Sequence, residues 1–192
     1  MAIGIDQKMN LFYGSANSGK TLALLHNAVL KQRPFVFISY DQVDRLKKTI
    51  DALCNHLNKK SPKCVVKLVH YSEDIETIVK ELIKKKRLDS DLDLDIYIDS
   101  WPPSKFMTHQ YANAQEEVRR IAMSFMEIYK KSNFYLGVQT VKMFVANNLE
   151  DRLHCFSNFS VVNKTFVKRS SNIIKISGEN CNHEIILEAL YR

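Results

Sequence analysis

Residues 14 to 21 read GSANSGKT, which fits the spacing G-x-x-x-x-G-K-[ST] of a phosphate-binding loop. The two glycines allow a tight turn whose backbone N–H groups point at phosphate oxygens. Lys20 adds a positive charge for the β- and γ-phosphates, and Thr21 offers a hydroxyl to Mg²⁺. We therefore predict that ATP and Mg²⁺ bind to one continuous stretch, formed by Gly14, Ser15, Ala16, Asn17, Ser18, Gly19, Lys20 and Thr21.

A metal ion held by Thr21 needs a carboxylate as a second ligand. The run Ile96-Tyr97-Ile98-Asp99-Ser100 supplies one at the end of an apolar strand, which we expect to lie beside the strand that precedes the loop. Asp99 is thus the predicted Mg²⁺ partner of Thr21. Asp95 is four residues earlier in the same strand, so it cannot share that end, and we expect it to be a solvated acid.

Hydrolysis of a bound nucleotide also needs a group that orients or deprotonates water. Asp41 follows the apolar run Phe37-Ile38-Ser39-Tyr40 and is the candidate for this role. Aspartate is also a good N-cap, so Asp41 has a second interpretation, as the cap of a helix that starts at Gln42. The sequence leaves both roles open.

These side chains need a scaffold, and the chain alternates between two apolar patterns. Continuous apolar runs of strand length alternate with segments whose apolar residues recur at helical spacing. The predicted strands are at 9–13, 35–38, 65–71, 94–98 and 134–138, and the predicted helices are at 22–29, 43–57, 75–83 and 118–129. This alternation indicates right-handed crossovers and an α/β fold with a mainly parallel sheet covered on both faces.

The C-terminal part of the chain departs from that alternation. Three strand-like segments, at 159–167, 172–177 and 183–190, follow one another with no helix between them. Polar residues at 168–171 and 178–182 are expected to form the turns. The pattern predicts an antiparallel strand meander after the parallel core.

Length and composition set the broad class of protein. The chain has 192 residues, 45% of them hydrophobic and 26% charged, which is typical of one globular domain spanning residues 1–192. The net charge of +7 mildly favours an anionic partner. The four cysteines form no C-x-x-C pair, and neither a signal peptide nor an apolar run of membrane-spanning length is present. We expect a reduced, intracellular location and no membrane contact.

The order of these motifs resembles the RecA/DnaB-like ATPase core, a superfamily that includes strand-exchange recombinases and replicative ring helicases. GSANSGKT resembles its Walker A motif, and IYIDS (96–100) resembles its Walker B motif. FISYD (37–41) is similar to the segment with the family's catalytic acid, which is usually Glu and is Asp41 here. GVQT (137–140) resembles the segment whose glutamine, here Gln139, senses the γ-phosphate.

The resemblance implies a RecA-like fold and Mg²⁺-dependent ATP hydrolysis, with Lys20, Asp41, Asp99 and Gln139 as catalytic residues. It also implies a homo-oligomer, either a ring or a filament. IIKIS (173–177) resembles the strand whose Lys-x-Arg pair extends to a neighbouring subunit's nucleotide, and Lys175 matches the lysine. Ser177 stands where the arginine would be, and the sequence leaves open whether Arg169 or Arg192 replaces it.

Two segments, 101–113 and 140–154, match the loops that face nucleic acid in the resembled family. Their aromatic and basic residues suit single-stranded DNA or RNA, because bases stack on rings and phosphates pair with cations. An alternative is that Phe144 belongs to the core of a short amphipathic helix. The predicted nucleic-acid contacts are Lys105, Lys142, Phe144 and Arg152.

The preferred interpretation is a recombinase- or helicase-like ATPase acting on nucleic acid. Because the resemblance covers nearly the whole chain, we expect a minimal core of the kind found in phage and viral genomes. A viral genome-packaging motor is one alternative, and a non-catalytic ATP-binding regulator, suggested by Asp41 and the missing arginine, is another. A thymidine-kinase-like nucleoside kinase is the fourth, although IDSWPP (98–103) replaces the acidic pair of those kinases and their C-x-x-C zinc pairs are absent.

Overall fold

The computed structural model describes residues 9–39, 41–68, 81, 84, 94–101, 133–139, 162–178 and 181–190. Its strands are β1 (Met9–Gly14), β2 (Phe35–Ser39), β3 (Cys64–Leu68), β4 (Asp95–Trp101), β5 (Asn133–Gln139), β6 (Val162–Ser170), β7 (Ile173–Gly178) and β8 (Cys181–Ile186). Its helices with described bounds are α1 (Lys20–Lys31), α2 (Val43–His56) and the short α3 (Leu187–Leu190).

All eight strands belong to one sheet, in the order β3-β2-β4-β5-β1-β6-β7-β8. The first six strands of the chain pair in parallel, whereas β7 and β8 are antiparallel to their neighbours. The predicted mainly parallel α/β sheet with antiparallel C-terminal strands is therefore confirmed. None of the described helices is long and apolar enough to cross a membrane.

The order of the strands corrects one expectation. Strand β4, which carries Asp99, is not beside β1, because β5 lies between them and pairs with both. Asp99 still contacts the loop region, because its partner Thr21 lies in the first turn of α1 rather than on β1. The crossover from β1 through α1 to β2 passes over two strands, and this long step brings the helix start above β4.

The core lies between the sheet and helices α1 and α2. Helix α1 buries one face at the predicted spacing, and all five residues of β2 are buried, as expected for a central strand covered on both sides. Aromatic rings join neighbouring strands beneath α1: the centroid of Tyr97 lies 4.3 Å from that of Tyr135 and 6.1 Å from that of Phe37. The apolar periodicity of the sequence thus locates the core correctly.

Several boundaries differ from the prediction. Strand β3 ends at Leu68 rather than at residue 71, and β6 continues to Ser170, so the turn is confined to residues 171–172. The last predicted strand stops at Ile186, and residues 187–190 form α3 instead. The reason is local: the Leu187 N–H donates to the Asn172 carbonyl at 2.8 Å, and Leu190, three residues later, is buried in the core.

Two other expectations concern the far ends of elements. Asp95 is only 1% exposed, so it is not the solvated acid that we expected. It begins β4 at the amino end, where Arg33 Nε lies 3.4 Å away and the Asn133 side chain donates a hydrogen bond of 3.0 Å. The predicted helix at 118–129 lies outside the described residues, and of the predicted helix at 75–83 only Glu81 is described, in helical conformation.

Candidate nucleotide-binding site

The loop from Gly14 to Lys20 is shaped by its own backbone and by the C-terminal strands. Gly19, the residue before α1, has a φ of 92°, which non-glycine residues rarely adopt. A Cβ at Gly19 would also overlap the side chain of Ile174 on β7, and one at Gly14 would overlap the Val167 carbonyl on β6. The close approach of these two strands therefore requires glycine at both positions of the motif.

Lys20 is held over the loop. Its side chain is buried, and Nζ donates to the carbonyl of Ser15 at 2.7 Å and to that of Gly14 at 3.2 Å. Burial lowers the pKa of Lys20, and the nearby Asp99 carboxylate opposes that shift. The ammonium group is thus fixed where the motif requires a cation for phosphates.

Asp99 lies at the centre of a cluster of hydroxyl groups. Its Oδ2 accepts hydrogen bonds from Thr21 Oγ1 at 2.7 Å and from Ser39 Oγ at 3.1 Å. Burial raises the pKa of Asp99, while the two hydroxyls and Lys20 counteract the rise and Asp41 adds to it. Ser39 was not among the predicted residues, although a signal existed: it ends β2, the neighbour of β4, and the carboxyl ends of parallel strands meet at one edge.

The same cluster fits Mg²⁺. Hydroxyl and carboxylate oxygens are the hard ligands that Mg²⁺ prefers, and one or two protein ligands suffice because substrate phosphates and water complete the octahedron. Thr21 and Asp99 offer such oxygens in direct contact with one another, beside the phosphate loop. These two residues would hold the ion, as the sequence predicted.

Asp41 has two sets of neighbours, and each matches one of its two interpretations. Its Oδ1 accepts from the Gln42 N–H at 2.8 Å, and its Oδ2 lies 3.4 Å from Arg45 Nη1 in the first turn of α2. Gln42 is the N-cap residue of that helix, so Asp41 precedes the cap rather than forming it. The Asp41 side chain nevertheless lines the same cavity as Lys20 and Asp99.

That cavity has a volume of about 550 Å³. One part is polar and consists of the loop, Thr21 and Asp99, whereas the remaining walls are apolar or carry guanidinium groups. The residues outside the loop that line it are Leu22, Leu25, Asp41, Arg45, Leu46, Thr49, Asp99, Arg169, Ile174 and Leu187. The space suits a ligand with a phosphorylated end and a flatter apolar end.

Arg169 belongs to this cavity in its own chain. Its Nε donates to the Ser171 carbonyl at 3.2 Å across the tight turn between β6 and β7. The sequence left open whether Arg169 replaces an arginine that acts on a neighbouring subunit. Its position beside the chain's own loop instead makes it a candidate contact for that chain's nucleotide.

Lys175 points away from the loop. Ile174 and Ile176 are buried on the α1 side of β7, so the exposed Lys175 lies on the opposite face of the sheet. There its Nζ is 3.0 Å from Glu184 Oε1 on β8. Lys175 is thus remote from the nucleotide cavity of its own chain, and its action on another subunit stays a prediction.

The other predicted residues are only partly described. The backbone of Gln139 pairs with Gly14 at the end of β5, which places this residue beside the loop, but its side chain is outside the described part of the chain. The predicted nucleic-acid contacts and the C-terminal arginine also lie outside the described residues, namely Lys105, Lys142, Phe144, Arg152 and Arg192.

Together, the sheet order and the loop between β1 and α1 define a RecA-like P-loop ATPase fold. A solved structure whose title describes an "ATPase Domain" is similar to this chain, with a TM-score of 0.58 over 92% of this chain and 79% of that one. The sequences are 10% identical, so the likeness concerns the fold alone. No protein-family model matches the chain, and no curated protein matches it in sequence.

Proposed function

We propose that residues 1–192 form one ATPase domain that binds ATP with Mg²⁺, hydrolyses it, and acts on single-stranded DNA or RNA as part of a homo-oligomer. One observation carries the proposal: Thr21 Oγ1 and Asp99 Oδ2 are 2.7 Å apart, beside the fixed Lys20 ammonium. A hydroxyl, a carboxylate and a cation converge there on the mouth of a phosphate loop, which is the arrangement that nucleotide hydrolysis requires.

Each described residue has a part in this reaction. The loop N–H groups and Lys20 bind the phosphates and stabilise the charge that develops on them. Thr21 and Asp99 orient Mg²⁺, which when bound supplies further neutralising charge between the β- and γ-phosphates. Asp41 orients the attacking water or accepts its proton, while Ser39 keeps the Asp99 carboxylate in place through its hydrogen bond.

The nucleic-acid part of the proposal depends on sequence features. The net charge of +7 favours a polyanion. The resemblance assigns Lys105, Lys142, Phe144 and Arg152 to loops that would face a single strand, with the phenyl ring stacking on bases. Similarity to a structure titled as an ATPase domain supports the hydrolase part but identifies no polynucleotide.

A turnover assay tests the proposal. Phosphate release from ATP should require Mg²⁺ and should rise when single-stranded DNA or RNA is added. Lys20→Ala should lower turnover at least tenfold, about 1.4 kcal/mol of transition-state stabilisation, because it removes the cation beside the phosphates. Undiminished turnover in a folded Lys20→Ala protein would remove the loop from the mechanism. A phosphorylated nucleoside as product would replace the hydrolase with a kinase.

A second candidate function is supported by the geometry of Asp41. Both of its carboxylate oxygens are engaged, one by the Gln42 N–H and the other by Arg45, as expected if the residue only stabilises the start of α2. The protein would then bind ATP without hydrolysing it and act as a regulator. Under the hydrolase proposal, Asp41→Asn keeps ATP binding and loses turnover. Normal turnover with a lower melting temperature would instead limit Asp41 to the helix.

A further inference from the structure

Positive charge is concentrated in one region of the chain. Residues 43–68, which form α2, β3 and their connection, contain seven Lys or Arg and two Asp or Glu, a surplus of five positive charges. The whole chain has a net charge of +7. Most of the net charge therefore belongs to a segment that contributes few residues to the nucleotide cavity.

Three lysines in the connection between α2 and β3 form the centre of this region, and we call Lys59, Lys60 and Lys63 the basic connection. All three are exposed, and none of them makes an ion pair with any residue in the described part of the chain. Four residues span at most about 14 Å, so the three ammonium groups repel one another across a short stretch of chain. A polyanion would relieve that repulsion.

The backbone of the basic connection is fixed to the rest of the fold. The Lys59 N–H donates to the Cys54 carbonyl at 2.8 Å, closing the end of α2. The Gln32 side chain donates to the Lys60 carbonyl at 2.9 Å, and the Phe35 N–H donates to the Lys63 carbonyl at 3.0 Å. The three lysines thus extend from a backbone anchored at several points to α1, α2 and β2.

The basic connection lies at the opposite edge of the sheet from the phosphate loop. Phe35 begins β2 beside Lys63, whereas Ser39 ends β2 beside Asp99. At about 3.3 Å per residue, the strand separates these two points by about 13 Å. The basic connection therefore serves a ligand other than the nucleotide bound at Lys20.

The composition of the region indicates what kind of polyanion fits. Residues 43–68 contain no Phe, Tyr or Trp, so they offer no aromatic ring on which unpaired bases could stack. Contacts made only by lysine ammonium groups read phosphates and not bases. Duplex nucleic acid presents one phosphate charge per about 1.7 Å of axis, the denser target for such a surface.

We propose that Lys59, Lys60 and Lys63 are a docking surface for the phosphate backbone of double-stranded nucleic acid. This inference rests on the proposed role on nucleic acid but not on ATP hydrolysis. It assigns the duplex to the amino edge of the sheet and leaves the single strand to the loops after β4 and β5. Binding at the basic connection is independent of sequence and depends strongly on salt.

The test compares two matched double variants of exposed lysines, Lys59→Gln/Lys63→Gln and Lys164→Gln/Lys168→Gln on β6. Binding of a short labelled duplex is measured by anisotropy over a range of salt concentrations, without nucleotide. Loss of two phosphate contacts should make the slope of log K against log salt shallower by about 1.8 in the first variant, at about 0.9 per contact. The β6 variant should keep the wild-type slope.

Three results would overturn the inference: an unchanged slope in the first variant, an equal change in both variants, or binding to phosphatidylserine vesicles with none to the duplex. Failure of the proposed ATPase is distinguishable. The same slopes are measured in a Lys20→Ala background, where turnover is lost. A wild-type protein that hydrolyses no ATP, but loses duplex affinity only in the Lys59→Gln/Lys63→Gln variant, would refute hydrolysis and support the basic connection.

Discussion

Strand β4 carries two buried carboxylates, and their surroundings differ. Asp95 at its start is 1% exposed and Asp99 near its end is 5% exposed, and burial raises the pKa of both. Asp99 is held by two hydroxyls and opens onto a cavity, whereas Asp95 contacts the guanidinium of Arg33. Burial and a shifted pKa therefore do not distinguish a reactive carboxylate from a structural one. The exchangeable partners and the adjoining space do.

The largest expected effect is the loss of turnover in Asp99→Asn. The amide is a poorer ligand for Mg²⁺ and carries no charge, so phosphate release should fall about a hundredfold or more, some 2.7 kcal/mol. Steady-state turnover at saturating Mg²⁺ measures it. Arg33→Met is the matched control at the other end of the strand and should keep turnover per folded molecule. Equal losses in both variants would erase the distinction between the two carboxylates.

Arg33→Met should instead lower the free energy of unfolding. Without the guanidinium, the Asp95 carboxylate stays buried with the Asn133 amide as its remaining described donor. The cost should be about 2 kcal/mol, below the range for a fully buried pair because the Arg33 side chain is 32% exposed. Urea denaturation at neutral pH measures it. A variant as stable as the wild type would show that Asp95 needs no cation.

The pH dependence of stability sharpens the comparison at the Asp99 end. The folded pKa of Asp99 lies above its ordinary value of 3.8, so the folded state favours the protonated form. Ionisation of Asp99 then destabilises the fold at neutral pH, and this cost disappears as pH falls through the raised pKa towards 3.8. Asp99→Asn should melt higher than the wild type at neutral pH and lose that advantage in acid. An advantage that grows in acid would reverse the sign.

The smallest effect is expected where a carboxylate pair is exposed. Arg45 pairs with Asp41, but its side chain is 75% exposed, and such i,i+4 pairs contribute about 0.5 kcal/mol or less. Arg45→Gln should therefore shift the melting temperature only slightly, and added salt should shrink the difference. A large loss of stability would mean that Asp41 is held chiefly by Arg45 and is unavailable to water.

Local patterns in the sequence predicted much of the fold and the inner part of the site. Helical spacing located α1 and α2, and the loop motif with the acid after an apolar run identified Thr21 and Asp99. The placement of β5 between β1 and β4 was not predictable, because strand order depends on crossovers that no local pattern encodes. The burial of Asp95 was missed for a similar reason, since Arg33 and Asn133 come from distant segments.

The packing of Ile174 against Gly19 has a consequence for how this sequence can change over evolutionary time. Two separate barriers protect Gly19: its positive φ and the lack of space beside Ile174. Shortening Ile174 would remove only the second barrier, so no single compensating substitution on β7 makes a larger residue acceptable at position 19. The C-terminal hairpin and the phosphate loop are thereby constrained to diverge together, although more than 150 residues of chain lie between them.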